Sequence, residues 1–186
     1  MAKTRFKKED WIQLGLDVLK SDGPSALTVE NLCLKANRTR GSFYHHFADH
    51  DAFLIGLAEH WRQHFNLAFF ERLTDEPQGV TRLSALNTMA SDLDLGLEVA
   101  IRQLAQRSEP VAQLIHEIDQ MRLDYLEQIY LSMGRDFAVS ARQITELEYA
   151  SFLGAILLWP DMGKDRQQAF AKVIPTMLGL IERERT

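Results

Sequence analysis

Nearly every segment of this chain longer than ten residues places its apolar side chains at helical spacing, and no alternating valine- and isoleucine-rich run offers a strand. That restricts the fold to helices packed on helices. Ile12, Leu16 and Leu19 share one face of a first helix expected over 8–20. It stops at Ser21-Asp22-Gly23-Pro24, where glycine supplies the exit and proline forbids continuation. Thr28 is placed to cap a short second helix to about Lys35, burying Val29 and Leu32. Ala36-Asn37-Arg38 reads as a tight turn, since asparagine is one of the few non-glycine residues that tolerates left-handed backbone. Thr39 caps a third helix to about His46, with Phe43 and Phe47 one turn apart on its inward side.

A longer helix follows Asp49, with Phe53, Leu57, Trp61 and Phe65 recurring every four residues and Phe69 extending the stripe. After the loop at 74–79, helices are expected near 80–90, 94–107 and 110–133. Ser140 and Gln143 form a capping box that opens a helix to about Leu158. The last helix, near 165–184, contains Pro175, which must kink or split it. The expectation is an all-α chain of about nine helices. Residues 1–49 read as a helix-turn-helix domain, and residues 50–186 as a helical body. The third helix, narrow and polar outward, is of a size to enter a DNA major groove about 12 Å wide.

Charge and cysteine usage narrow the class. The net charge of −5 argues against a protein that coats nucleic acid indiscriminately. Residues 1–50 nevertheless carry eight Lys/Arg against six Asp/Glu, whereas 51–186 carry thirteen against twenty. Lys35, Arg38 and Arg40, with His45, His46 and His50 interleaved, form a local cluster able to meet phosphate. The single Cys33 has no disulfide partner and no metal-ligand spacing around it, which suits a reducing cytoplasm. No stretch approaches the roughly 20 apolar residues that span a bilayer, and the basic start is followed by no apolar signal segment.

The stretch Leu27–Leu54, LTVENLCLKANRTRGSFYHHFADHDAFL, resembles the signature of the TetR family of transcriptional regulators. The match lies in Leu27-Thr28-Val29, Ala36, Gly41, the run Phe43-Tyr44-His45-His46-Phe47 and the acidic-apolar opening of the next helix. With residues 8–26 it covers about 47 positions. A looser likeness runs across 93–133. The resemblance implies a repressor that dimerises, binds a palindromic operator and releases it for a small-molecule ligand. Two positions depart from the pattern: Asn37 stands where glycine is frequent, and His50 where the family commonly uses a phosphate-contacting lysine. A histidine there would strengthen its contact as pH falls and the ring charges.

The residues expected at DNA are Thr28, Arg38, Thr39, Arg40, Gly41, Ser42, Tyr44, His45, His46 and His50. Thr28 and Thr39 cap helices and have hydroxyls that could also reach a phosphate. Arg40 suits bidentate contact with guanine O6 and N7. Gly41 lets backbone approach the groove, and Tyr44 matches a family residue that touches DNA; its alternative is a half-buried aromatic with a wet hydroxyl. His46 reads equally as a phosphate contact or as turn packing. Glu30, an acid where some relatives place a base reader, is left out of the set.

A cavity between body helices could be lined by Trp61, Phe65, Phe69, Met89, Leu97, Ile101, Leu104, Arg122 and Tyr125, although each apolar member reads equally well as plain core. Arg122 interrupts an apolar stripe and needs a partner, either Glu98, Asp94 or an anionic ligand, unless it snorkels to the surface. Phe152, Ile156, Val173, Ile174, Met177 and Leu180 can form a four-helix seam with a second copy, as the resemblance also implies. His60 and His64 have i, i+4 metal spacing but no completing ligand, so no metal or other cofactor is expected. No nucleophile–base pair or phosphate loop supports the competing reading, a small helical enzyme or carrier. A third reading is a DNA-binding dimer whose body binds a protein or nothing.

Overall fold

The computed structural model describes residues 6–64, 68–160 and 162–180, with only the backbone of 68 and 69. Among these residues there is no strand. The contacts divide the chain into two compact units, one of residues 1–64 and 96–117, the other of 65–95 and 118–186.

The first unit begins with α1 (Lys8–Asp22), whose opening N–H groups are met by Asp10 accepting from the Lys7 amide at 2.7 Å. The helix ends at Gly23, whose φ of 79° places it where side chains are disfavoured. A 3-10 turn, Pro24–Ala26, then leads to α2 (Val29–Ala36). The Thr28 hydroxyl caps α2 by accepting from Asn31 N–H at 3.2 Å, and Asn37 ends it in left-handed backbone, φ 51° and ψ 51°. Next come α3 (Arg40–Tyr44), capped by Thr39, and α4 (His50–Arg62), capped by Asp49, which accepts from Ala52 N–H at 2.7 Å. Their inward side chains meet in an aromatic cluster: Phe43 lies 5.3 Å from Trp11, 5.1 Å from Phe47 and 5.2 Å from Phe53, mostly edge to face. Gly15 lets α1 and α4 close on each other, because an added Cβ would fall 2.6 Å from Phe53 Cζ and 2.8 Å from Leu57. In α7 (Leu95–Ala105), Leu97, Ile101 and Leu104 are buried, and Glu98 is held by Arg102 at 2.8 Å.

The second unit contains α5 (Ala68–Leu73), α6 (Val80–Ala90), most of α8 (Glu109–Ser132) and α9 (Ala141–Leu158). Leu83, Leu126, Ile129, Tyr130 and Ile144 form its core. Ser140 and Gln143 make the expected capping box. Arg142 of α9 reaches across to α8: it donates to Asp124 at 2.8 Å and to Gln120 at 3.2 Å, and also bonds Glu146 on its own helix. The last helices among the described residues are α10 (Lys164–Ala171) and α11 (Val173–Met177).

The eleven α-helical segments among the described residues exceed the nine expected for two reasons. The helix expected from Asp49 through Phe69 is present as α4, ending at Arg62, and as α5, with residues 65–67 outside the described ones. Pro175 brings the second split. It occupies the first turn of α11, where its missing N–H leaves no bond unmade, so the break falls before it at Lys172.

Candidate functional site

Thr28, Asn37 and Thr39 fix the geometry of the helix-turn-helix. The left-handed residue reverses the chain between two capped helices, and Phe43, fully buried, anchors α3 from below. The remaining side chains of α3 face outward: Arg40 and Tyr44 are 62% and 50% exposed. Arg40 is ion-paired with Glu30 of α2. Gly41 is not required by packing, since an added Cβ would meet the Thr39 hydroxyl at 3.8 Å, an ordinary contact. Thr28, Thr39 and His45 are exposed, and Ser42 is half-buried with its amide held by the Thr39 hydroxyl.

The other candidates are drawn into intramolecular bonds. Arg38 lies over the Phe6 ring at 5.2 Å and donates to the Asn37 carbonyl at 3.1 Å. His46 Nε2 meets the Phe6 carbonyl at 3.1 Å, and Phe6 in turn stands edge-on to Trp11 at 4.9 Å. His50 Nε2 contacts the Leu27 carbonyl at 2.5 Å, so Nε2 carries the hydrogen and the ring ties the start of α4 to the entry of α2. The cluster therefore combines two kinds of residue: Arg40, Tyr44 and His45 project, whereas Arg38, His46 and His50 brace. Phe6 and the Glu30–Arg40 pair were missed by sequence reasoning. Their only signal was complementary charge ten residues apart and an aromatic just ahead of α1.

The second unit holds a cavity of about 160 Å³. Leu86 and Ala90 of α6, Arg122 and Leu126 of α8, and Glu148 and Phe152 of α9 border it. Phe70, Phe170 and Ile174 complete its apolar walls. Arg122 Nη1 donates to the Tyr149 hydroxyl at 3.0 Å, and that hydroxyl donates to Asp119 at 2.6 Å. Tyr130 donates its hydroxyl proton to Glu148 Oε2. Burial pushes the Glu148 carboxyl up to about 7, against the opposing pull of its hydrogen bonds from Tyr130 and Asn87. Burial first, and then the neighbouring Glu148 charge, raises the Tyr130 phenol.

Of the residues expected to line a pocket, Arg122 borders this cavity. Trp61, Leu97, Ile101 and Leu104 are buried in the first unit. Met89 and Tyr125 are half-buried in the second, with the Tyr125 ring 4.6 Å from Phe70. Phe65 and the Phe69 side chain lie outside the described residues. Of the residues expected at a dimer seam, Met177 (79%) and Val173 (47%) are exposed, and Leu180 is half-buried. Ile156 is only 1% exposed within its own chain, while Phe152, Val173 and Ile174 border the cavity. Leu157 and Leu158, at 64% and 70% exposure, lie outside the expected seam set. His60 and His64 stack at 4.0 Å, and no group of three or more potential metal ligands occurs among the described residues.

No family model matches the sequence, and no curated protein does. Solved structures match the fold. A TetR-family transcriptional regulator from Agrobacterium tumefaciens is 17% identical, with a TM-score of 0.72 over 95% of this chain and 100% of that one. Reduced NemR from E. coli is 20% identical, with a TM-score of 0.73 over 92% and 96%. FadR from Bacillus subtilis, a transcriptional regulator solved with stearoyl-CoA, is 17% identical, with a TM-score of 0.72 over 92% and 97%. The chain has the all-helical fold of TetR-type transcriptional regulators.

Proposed function

We propose that the chain is a one-component, TetR-type repressor that binds an inverted-repeat operator as a homodimer and is released by a small molecule. The observation that carries this reading is α3 itself: a short helix capped by Thr39, anchored by Phe43 and presenting Arg40 and Tyr44 outward. Residues 1–49 would form the DNA-binding domain, with Thr28, Thr39, Arg40, Gly41, Ser42, Tyr44 and His45 at the duplex and Arg38, His46 and His50 bracing it. Residues 50–186 would supply dimerisation and effector binding. A non-enzymatic, cytoplasmic role belongs to the same reading. Among the described residues no helix is long and apolar enough to cross a membrane.

Two-fold pairing supports the operator symmetry, because one copy presents one α3 to one half-site. Exposed Leu157, Leu158, Val173 and Met177 on α9 and its following helices support a seam there. The cavity supports an effector, as does the acyl-CoA bound to the structurally similar FadR. Weakening operator binding about a hundredfold needs roughly 2.7 kcal/mol of ligand preference for the non-binding dimer.

Fluorescence anisotropy with duplexes from the DNA flanking its gene tests the reading. Wild type is expected to bind one of them far more tightly than random duplex, steeply weakened by salt. Arg40→Ala with Tyr44→Ala is expected to remove that preference while leaving the helical content unchanged. Equal binding to every duplex would refute the proposal.

A further inference from the structure

Glu148 sets the chemistry of the cavity in the second unit. It stands in the apolar stripe of α9, between Ile144 and Phe152, one turn from each. Its two hydrogen-bond partners are uncharged, the Tyr130 hydroxyl and the Asn87 amide. A carboxylate in an apolar site is costly unless a cation meets it. The cation in the wall, Arg122, is engaged elsewhere, through the Tyr149 hydroxyl to Asp119. Three aromatic rings, Phe70, Phe152 and Phe170, border the same space.

We propose that this cavity takes an apolar, preferably aromatic, molecule bearing one basic nitrogen, whose ammonium group is held by the Glu148 carboxylate. The inference rests on reading the cavity as an effector site. An ammonium group supplies the charge that Tyr130 and Asn87 lack, and ring faces attract cations where a hydrocarbon wall would not. An anionic ligand would place like charge beside Glu148 and would have to draw Arg122 away from Tyr149. Burial favours the neutral acid of Glu148, and an incoming ammonium shifts the balance back to the charged carboxylate.

Calorimetry on the full chain, without DNA, with phenylpropylamine, phenylpropanol and phenylpropanoate tests this. The three share a hydrophobic body and differ in the charge of the head. The amine is expected to bind at least about tenfold more tightly than the alcohol, and the carboxylate most weakly. Glu148→Gln is expected to bring the amine down to the alcohol while leaving alcohol binding intact, which also reports that the cavity still forms. Tightest binding by the carboxylate, an amine preference that survives Glu148→Gln, or binding by none of the three would overturn the proposal. Operator binding, measured separately, keeps the two readings apart. A chain that binds operator but no amine loses only this inference, and one that binds amine through Glu148 but no operator loses only the DNA reading.

Discussion

Glu30 on α2 holds Arg40 on α3 in an ion pair across the turn of the helix-turn-helix. Both side chains are more than 60% exposed, so the pair contributes under about 1 kcal/mol to stability. Its consequence lies in where the guanidinium points and how much positive charge α3 offers a duplex. Glu30→Ala is expected to leave the melting temperature within about 2 °C and to raise affinity for random-sequence duplex several-fold, because a repelling carboxylate has gone. It is also expected to relax base preference at the position Arg40 reads, since the arginine has lost its guide. Melting curves and competition binding against matched and mismatched duplexes check both outcomes.

Gly41 separates packing from recognition. The protein itself has room for a methyl group there, so Gly41→Ala is expected to stabilise the fold by roughly 0.5 kcal/mol through helix propensity. The same methyl group would keep α3 from the groove, weakening operator binding at least about tenfold. Denaturant melts and anisotropy on one preparation compare the two effects. A variant both more stable and equally tight would show that Gly41 is not at the DNA.

Glu148, half-buried against the cavity, makes stability depend on pH in a stated direction. Its folded pKa, about 7, lies above the ordinary 4.5, so the folded chain binds more protons than the unfolded one between those values. The contribution is therefore most favourable below 4.5 and is lost as pH rises through 7. Between pH 5 and pH 8, wild type is expected to lose roughly 5 °C more in melting temperature than Glu148→Gln does. Identical pH profiles for the two proteins would place the carboxyl in water.

Leu158 and Met177 are 70% and 79% exposed, so an aspartate at either costs a single chain little. In a paired chain the same charge would be buried against its copy. Leu158→Asp with Met177→Asp is expected to convert a dimer to a monomer in sedimentation velocity, with no loss of helicity. Operator affinity would fall with it, as the second half-site goes unoccupied.

Local chemistry was legible from the sequence because its causes are short-range. Thr28, Asn37, Thr39 and Ser140 act on backbone within three or four residues, and each cap or left-handed turn forms where the residue type demands it. The cavity was less legible. Apolar periodicity says that Trp61, Leu97, Ile101 and Leu104 face inward, but the same pattern serves solid core, which is what they build in the first unit. Arg122 stands out as a charge in an apolar stripe, and Glu148 breaks the stripe of Ile144 and Phe152 in the same way, but only the folded cavity distinguishes it from a solvated acid. The bracing roles of His46 and His50 depend on the carbonyls of Phe6 and Leu27, 40 and 23 residues away, which no local pattern encodes.

Selection of bound sequences from random duplex DNA, run in parallel with wild type and Arg40→Ala, reaches the central claim most directly. With α3 as the reading element of a symmetric pair, wild type enriches an inverted repeat whose half-sites face one side of the duplex, and Arg40→Ala loses one base preference in both halves alike. Enrichment without two-fold symmetry, or the same repeat recovered unchanged by Arg40→Ala, would contradict it.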